Sequence, residues 1–354
     1  MKRIRVLVVE DSLTIRRHLC DLLQTDPTLE VVGEATDGKQ AIAQCMALRP
    51  DVISLDMMLP EMNGLAVTEY VMAHYPTPIL VVSSSFNRGE LFKTYEALAA
   101  GALDVIEKPR ADTIDQAWAS HYLNMIRLTS RIKVITHLRG KRASQSAPLP
   151  PSLPVSTAPS HTACKLIAIG ASTGGPRALV EVLQRIPSSC GAPILIVIHI
   201  GEPFGNTFAE WLNEQTPHSV RFAHDGETLP AKGVLLAPPG RHLVVQKKQL
   251  QLSDEPDRHS CKPSVDVLFE SVARECGRVS AACLLTGMGQ DGARGLLAIR
   301  QAGGLTIAQD EVSSVVYGMP REAALMGAAD HILPLHEIGP MLAAYTQSES
   351  IGTT

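Results

Sequence analysis

The chain has 354 residues, 45% of them hydrophobic and 19% charged, the proportions of a globular protein with sizeable cores, and its length points to two domains. Its 32 Lys+Arg against 36 Asp+Glu give a net charge of -4, without the basic field that binding of nucleic acid generally requires. Seven scattered cysteines (Cys20, Cys45, Cys164, Cys190, Cys261, Cys276, Cys283) with no Cys-x-x-Cys argue against a disulfide framework or zinc ribbon, and neither a signal peptide nor a bilayer-spanning run is evident, so a reducing cytoplasm without membrane insertion is expected.

Along the first third of the chain, short apolar runs alternate with amphipathic stretches. Ile4 to Val9 is the first strand, and Ile15, Leu19, Leu22 and Leu23 mark a helix. Val31-Val32 follows, then a helix through Ala41, Ile42, Cys45 and Met46, and then Val52 to Leu55. Pro78 to Val82 and Val105-Ile106 are two further strands, with helical spacing of Leu91, Tyr95 and Leu98 between them. Continuous rather than alternating apolar runs imply strands buried on both faces, hence an α/β fold with a parallel, doubly wound sheet. The stretch from Ile114 to Leu138 is expected to be largely helical, anchored by Trp118, Met125, Leu128 and Ile132 and ending in Lys133, Arg139, Lys141 and Arg142.

In such a sheet with strand order 2-1-3-4-5, Glu10 and Asp11 at the end of the first strand would meet Asp56 at the end of the third. Three carboxylates in one crevice repel one another unless a cation joins them, and Mg²⁺ suits a few carboxylates plus phosphate oxygens and waters. Ser83 or Ser84 and Lys108, at the ends of the fourth and fifth strands, would add a hydroxyl and an ammonium for a phosphoryl oxygen carried by Asp56. Taken singly, each acid is equally well a helix cap. Together, Glu10-Asp11, Leu55-Asp56, Ser83-Ser84 and Lys108-Pro109 resemble a two-component response-regulator receiver domain. The resemblance implies a flavodoxin-like fold over residues 1–125, phosphorylation of Asp56, metal binding by Glu10, Asp11 and Asp56, a switch role for Ser83, phosphoryl contact by Lys108, and a sensor histidine kinase as phosphodonor. Glu10 stands where the family commonly has aspartate.

Between Ser144 and Cys164 the composition turns to Pro, Ser, Ala and Thr without hydrophobic periodicity, and residues 126–164 are expected to be a linker helix and an extended Pro/Ser-rich linker. Beyond it, strand candidates are Leu166 to Ile169, Ile194 to Ile198, Val234 to Leu236, Ala282 to Leu285 and Thr306 to Ala308. A hairpin is expected over Leu243-Val244-Val245 and Leu250-Gln251-Leu252. This second half is α/β as well.

Gly170-Ala171-Ser172-Thr173-Gly174 fits the G-x-S-x-G pattern, in which small neighbours permit a sharp strand-to-helix turn that exposes a nucleophilic hydroxyl. Pro176 at a helix start, with Leu179, Val180, Leu183 and Ile186 at helical spacing, places Ser172 beside free backbone N–H groups. His199 and Asp291 also follow apolar runs and supply a general base and the acid that orients it. Read alone, the glycine-rich turn also allows a phosphate cradle, although no Lys-Ser/Thr follows as in a P-loop, His199 is readable as a strand-end histidine and Asp291 as a helix cap, while Asp310 is a rival acid.

Gly170 to Pro176, Lys262-Pro263-Ser264-Val265-Asp266, Leu285 to Gly292 and Val316-Tyr317-Gly318-Met319-Pro320-Arg321 are similar to the catalytic domain of chemotaxis protein-glutamate methylesterases. The resemblance implies a Rossmann-like methylesterase domain over residues 165–345, a Ser172–His199–Asp291 triad, and oxyanion or substrate contacts at Thr173 and Met288. It further implies no organic cofactor, and hydrolysis of glutamate γ-methyl esters, with deamidation of specific glutamines, on the cytoplasmic helices of methyl-accepting chemoreceptors. A receiver docked over the active site would block so bulky a substrate, and phosphorylation would shift that equilibrium. The same chemistry would serve a receptor outside chemotaxis, and a silent phosphorylation-dependent binding module is the reading from another class.

Overall fold

The computed structural model describes residues 2–84, 88–109, 116–132, 134, 166–201 and 203–346, and the chain divides into two compact units between residues 146 and 147. The Pro/Ser-rich segment 144–164 lies outside the described residues.

The first unit runs β1 (Ile4–Val9), α1 (Leu13–Gln24), β2 (Leu29–Ala35), α2 (Gly38–Leu48), β3 (Val52–Leu55), α3 (Gly64–His74), β4 (Ile79–Ser83), α4 (Arg88–Ala100), β5 (Asp104–Glu107) and α5 (Gln116–Thr129). All strand pairs are parallel and the order is β2-β1-β3-β4-β5, as the apolar runs imply. Alternate strand residues face opposite sides. Val6, Val8, Leu80 and Val82 pack on one face with Leu19 and Leu23 of α1 and Tyr122 and Ile126 of α5. The Tyr122 ring stacks on Trp118 and its hydroxyl donates to Ser54 Oγ at 3.0 Å, so the aromatic reaches a polar partner inside the core.

One helix lies outside the sequence expectation, and another is described over part of its expected length. Helix α3 has no one-sided apolar stripe to announce it; it starts because the Asn63 side chain accepts from the Ala66 N–H at 2.9 Å. Helix α5 ends at Thr129, where Ser130 Oγ donates back to the Arg127 carbonyl and 131–132 form a turn; of the stretch 114–138 expected to be largely helical, residues 114–115, 133 and 135–138 lie outside the described residues.

The second unit contains β6 (Leu166–Ala171), α6 (Gly175–Gln184), β7 (Pro193–Ile198), α7 (Gly205–Gln215), β8 (Val220–Phe222), β9 (Gly233–Leu236), β10 (His242–Gln246), β11 (Gln249–Ser253), α8 (Val265–Glu275), β12 (Ser280–Leu284), α9 (Ala293–Gln301), β13 (Leu305–Gln309), α10 (Met319–Leu325), β14 (His331–Leu333) and α11 (Leu335–Thr346). Seven strands form a parallel sheet of order β14-β13-β12-β6-β7-β9-β8, and β10–β11 form the expected antiparallel hairpin. Leu243, Val245 and Leu250 of that hairpin share a core with Val265, Leu268, Phe269 and Val272 of α8. From β6 the chain winds outward to β7 on one side, while β12 leads outward to β13 on the other. The switch point therefore lies between β6 and β12, where a doubly wound sheet opens its ligand crevice. No helix among the described residues is long and apolar enough to cross a membrane.

Candidate active site

In the first unit, Glu10, Asp11, Asp56, Ser83 and Lys108 all stand at the carboxyl edge of the sheet. Lys108 Nζ lies 2.9 Å from Glu10 Oε2 and 2.8 Å from Asp56 Oδ2. Burial, reinforced by the Asp56 charge, pushes the Glu10 carboxyl up to about 7. Asp56 is raised for the same reason of burial, which the Lys108 ammonium only partly offsets. Burial lowers Lys108, but its two carboxylate partners outweigh that and hold it above its ordinary value.

Apart from the Lys108 ammonium, buried Glu10 Oε2 and Asp56 Oδ2 have no polar partner among the described residues, and one ligand oxygen each from Glu10, Asp11 and Asp56 lie within 4.8 Å of one another. This all-oxygen, acidic donor set fits a hard divalent cation. Ser83 is hydrogen-bonded to α4. Its Oγ donates to Glu90 Oε1 at 3.0 Å, an oxygen shared with the Ser84 N–H and hydroxyl, so the hydroxyl is engaged by α4 rather than by Asp56. Glu90 carries no sequence signal, because an acid at a helix start ordinarily faces solvent.

In the second unit, Ser172 follows β6, His199 follows β7, and Asp291 lies between β12 and α9. The Ser172 N–H donates to the Thr286 carbonyl at 3.0 Å, joining the two loops at the switch point, and the His199 N–H donates to the Ala171 carbonyl at 3.0 Å. His199 Nε2 is 2.9 Å from Asp291 Oδ2. Asp291 does not cap α9, whose N-cap is Gly292. Its carboxylate accepts from Ser264 Oγ (2.7 Å), Val265 N–H (2.7 Å) and Asp266 N–H (3.0 Å), all at the start of α8. Asp266 in turn accepts from the Gly295 N–H of α9 at 2.7 Å, so each helix holds an acid contributed beside the other.

Burial alone would lift the Asp291 carboxyl, but the imidazole and its other donors keep it below the ordinary carboxylate range. Burial likewise depresses His199, yet the hydrogen bond to Asp291 and the proximity of Cys261 outweigh it and raise the imidazole to about 9. With Nε2 on Asp291, Nδ1 is the remaining nitrogen. Among the described residues it faces Cys261 Sγ at 3.7 Å and makes no hydrogen bond to Ser172.

The rival acid Asp310 is occupied elsewhere: Oδ1 accepts from the Ser313 N–H at 2.9 Å and from its hydroxyl. The Thr173 carbonyl accepts from Thr286 Oγ1 at 3.0 Å, and Met288 is an exposed loop residue. Ser264, Asp266 and Cys261 are the residues sequence reasoning gives no role. Ser264 carries a legible signal as a helix N-cap; Cys261 carries none.

Residues 167–342 match the family model described as CheB methylesterase, and residues 6–118 match the response regulator receiver domain. The chain is 42% identical to protein-glutamate methylesterase/protein-glutamine glutaminase 2 of Anaeromyxobacter dehalogenans, over 97% of each protein. It is 44% identical to the protein of the same description from Pseudomonas aeruginosa, over 96% of each. A crystal structure of the Thermotoga maritima CheB methylesterase catalytic domain, 33% identical, covers 52% of this chain and 99% of that one, with a TM-score of 0.49.

Proposed function

Because the chain belongs to the protein-glutamate methylesterase/protein-glutamine glutaminase family, we propose that it is a carboxylic ester hydrolase that demethylates glutamate γ-methyl esters, and deamidates particular glutamines, on the cytoplasmic helices of methyl-accepting chemoreceptors. The observation that carries this reading is the buried Asp291 carboxylate, fixed by the start of α8 and set 2.9 Å from His199 beside the loop that bears Ser172. Ser172 Oγ attacks the ester carbonyl while His199 Nδ1 takes its proton. The proton then passes to the leaving methoxide, methanol departs, and water, deprotonated by the same nitrogen, hydrolyses the acyl-serine to glutamate. Asp291 holds the ring and balances its charge. Backbone N–H groups at Thr173 and Met288 receive the oxyanion. In a glutamine substrate, ammonia leaves in place of methanol.

Residues 1–125 act as a receiver, residues 126–164 as the connection and residues 165–345 as the catalytic domain. Asp56 accepts a phosphoryl group from a sensor histidine kinase. Glu10, Asp11 and Asp56 would hold Mg²⁺, which when bound neutralises the acceptor and the incoming phosphoryl charge. Lys108 contacts the phosphoryl oxygens and Ser83 switches toward them, exchanging its hydrogen bond with Glu90.

The test is methanol release from methyl-esterified receptor membranes. Release should occur with the unaltered chain and fall by about 10³-fold or more in Ser172→Ala. Release from chemoreceptors that survives Ser172→Ala unchanged, or none from any receptor, would overturn the esterase assignment. Release only from receptors of another pathway would reassign the substrate.

A further inference from the structure

The proposed esterase mechanism leaves Cys261 unused, although no other thiol among the described residues stands beside His199. Its position is fixed. Arg258 and Cys261 exchange backbone hydrogen bonds (3.2 and 2.9 Å) across His259 and Ser260, both left-handed with φ of 54° and 59°, which is the backbone of a tight two-residue turn. The turn is tied to α8 at two points, by Arg258 on both carboxylate oxygens of Glu270 (2.7 and 2.6 Å) and by His259 Nε2 on Asp266 Oδ2 (3.0 Å).

The distances match a coordination geometry. A tetrahedral zinc with bonds of about 2.3 Å to sulfur and about 2.0–2.1 Å to nitrogen separates those two ligands by about 3.6 Å. Cys261 Sγ and His199 Nδ1 are 3.7 Å apart. The other ring nitrogen is 2.9 Å from Asp291, which reproduces the carboxylate–histidine–metal arrangement that fixes a ligating imidazole and raises its basicity. His199, Cys261 and Asp291 bring ligand atoms within 4.8 Å of one another, and Cys261 is partly exposed, so an ion can enter.

We propose that Cys261 Sγ and His199 Nδ1 form a binding site for a thiophilic divalent cation of the zinc class, and that occupancy reversibly inhibits the esterase. On binding, the thiol releases its proton to solvent as the sulfur–metal bond forms, and the Nδ1 lone pair becomes a metal ligand. Two protein ligands leave the remaining positions to water, so binding is weaker than at a closed structural site. Inhibition rests on His199 being the esterase base, because the metal takes the lone pair that would accept the Ser172 proton; binding itself does not depend on that reading. The soft sulfur excludes Mg²⁺, which separates this site from the all-oxygen cluster around Asp56.

The experiment titrates the reduced full-length chain with Co²⁺ in saturating Mg²⁺ and follows the thiolate-to-cobalt charge-transfer absorption, with displacement by Zn²⁺. The band should appear and should be lost in Cys261→Ser and Cys261→Ala. In His199→Gln, which removes a direct ligand, the cobalt affinity should fall by at least the ~10-fold that loss of an outer-shell partner costs. In parallel, the ratio of methanol release with and without Zn²⁺ should drop in the unaltered chain, recover on adding a chelator, and shift to about tenfold higher Zn²⁺ in Cys261→Ser. No band in the unaltered chain, a band of equal strength in the Cys261 variants, or an unchanged affinity in His199→Gln each overturns the site. Equal zinc sensitivity with and without Cys261 overturns the inhibition. A chain inactive on every receptor would fail the esterase reading alone, because the cobalt band decides binding separately.

Discussion

Burial lowers His199, while its contacts with Asp291 and Cys261 raise it and prevail, holding the imidazole at about 9. As the proposed general base, His199 must be neutral to accept a proton, so kcat/KM for methanol release should rise about tenfold per pH unit below that value and level off above pH 9. An acid limb near the ordinary histidine value would contradict the coupling to Asp291 and Cys261. Asp291→Asn should move the break downward and lower the plateau by about 10³- to 10⁴-fold, because the amide neither balances the imidazolium nor keeps the productive tautomer. The same shift bears on folding. The folded state binds this proton more tightly than the unfolded chain, so the stability it contributes is fully present below about pH 6.5 and lost as pH rises through about 9. Thermal unfolding should show this loss in the unaltered chain and a flatter dependence in Asp291→Asn.

At the scale of elements, the acid depends on how α8 and α9 meet. Gly292, the N-cap of α9, has φ of 90°, and a Cβ there would come 2.6 Å from Leu284 and 2.7 Å from Val265. Gly292→Ala combines backbone strain with overpacking and should cost about 2–4 kcal/mol while displacing Asp291 and reducing activity. Gly289 in the same loop has a similar φ of 89° with nothing near its missing Cβ, so Gly289→Ala should cost only about 1 kcal/mol. Equal losses in denaturant titrations of the two variants would show that packing against Val265 is not what matters. The polar ends of buried strands were legible in sequence because continuous apolar runs announce a parallel sheet, and its chemistry collects at the carboxyl ends. What stayed illegible has physical causes. Helix α3 is apolar on too many sides to show a period, and β8 and β14 are three-residue edge strands. Glu90, Cys261 and Asp266 enter their sites from helices and turns, through tertiary contacts that no local pattern records.

At the scale of the whole chain, two switch-point crevices stand on two separate sheets, one acidic and suited to a hard cation, the other built around an acid, a base and a hydroxyl. Neither chemistry needs the other; in the proposed function the two are joined because the state of Asp56 biases the esterase. A phosphoryl group there adds charge beside Lys108 and gives Ser83 a reason to leave Glu90, a local change of the kind that shifts a two-state equilibrium. Adding a small phosphodonor with Mg²⁺ should therefore raise methanol release by about 5- to 150-fold, the range of ordinary coupling energies. Asp56→Ala should remove the rise while leaving donor-free release in place. If the receiver acts by restraint, cleavage within 144–164 should raise the donor-free rate and abolish the response to phosphodonor together. A cut chain that keeps its low rate and loses the response would instead mean that the phosphorylated receiver activates directly, and a cut chain that keeps both would show that the connection between the units plays no part in their coupling.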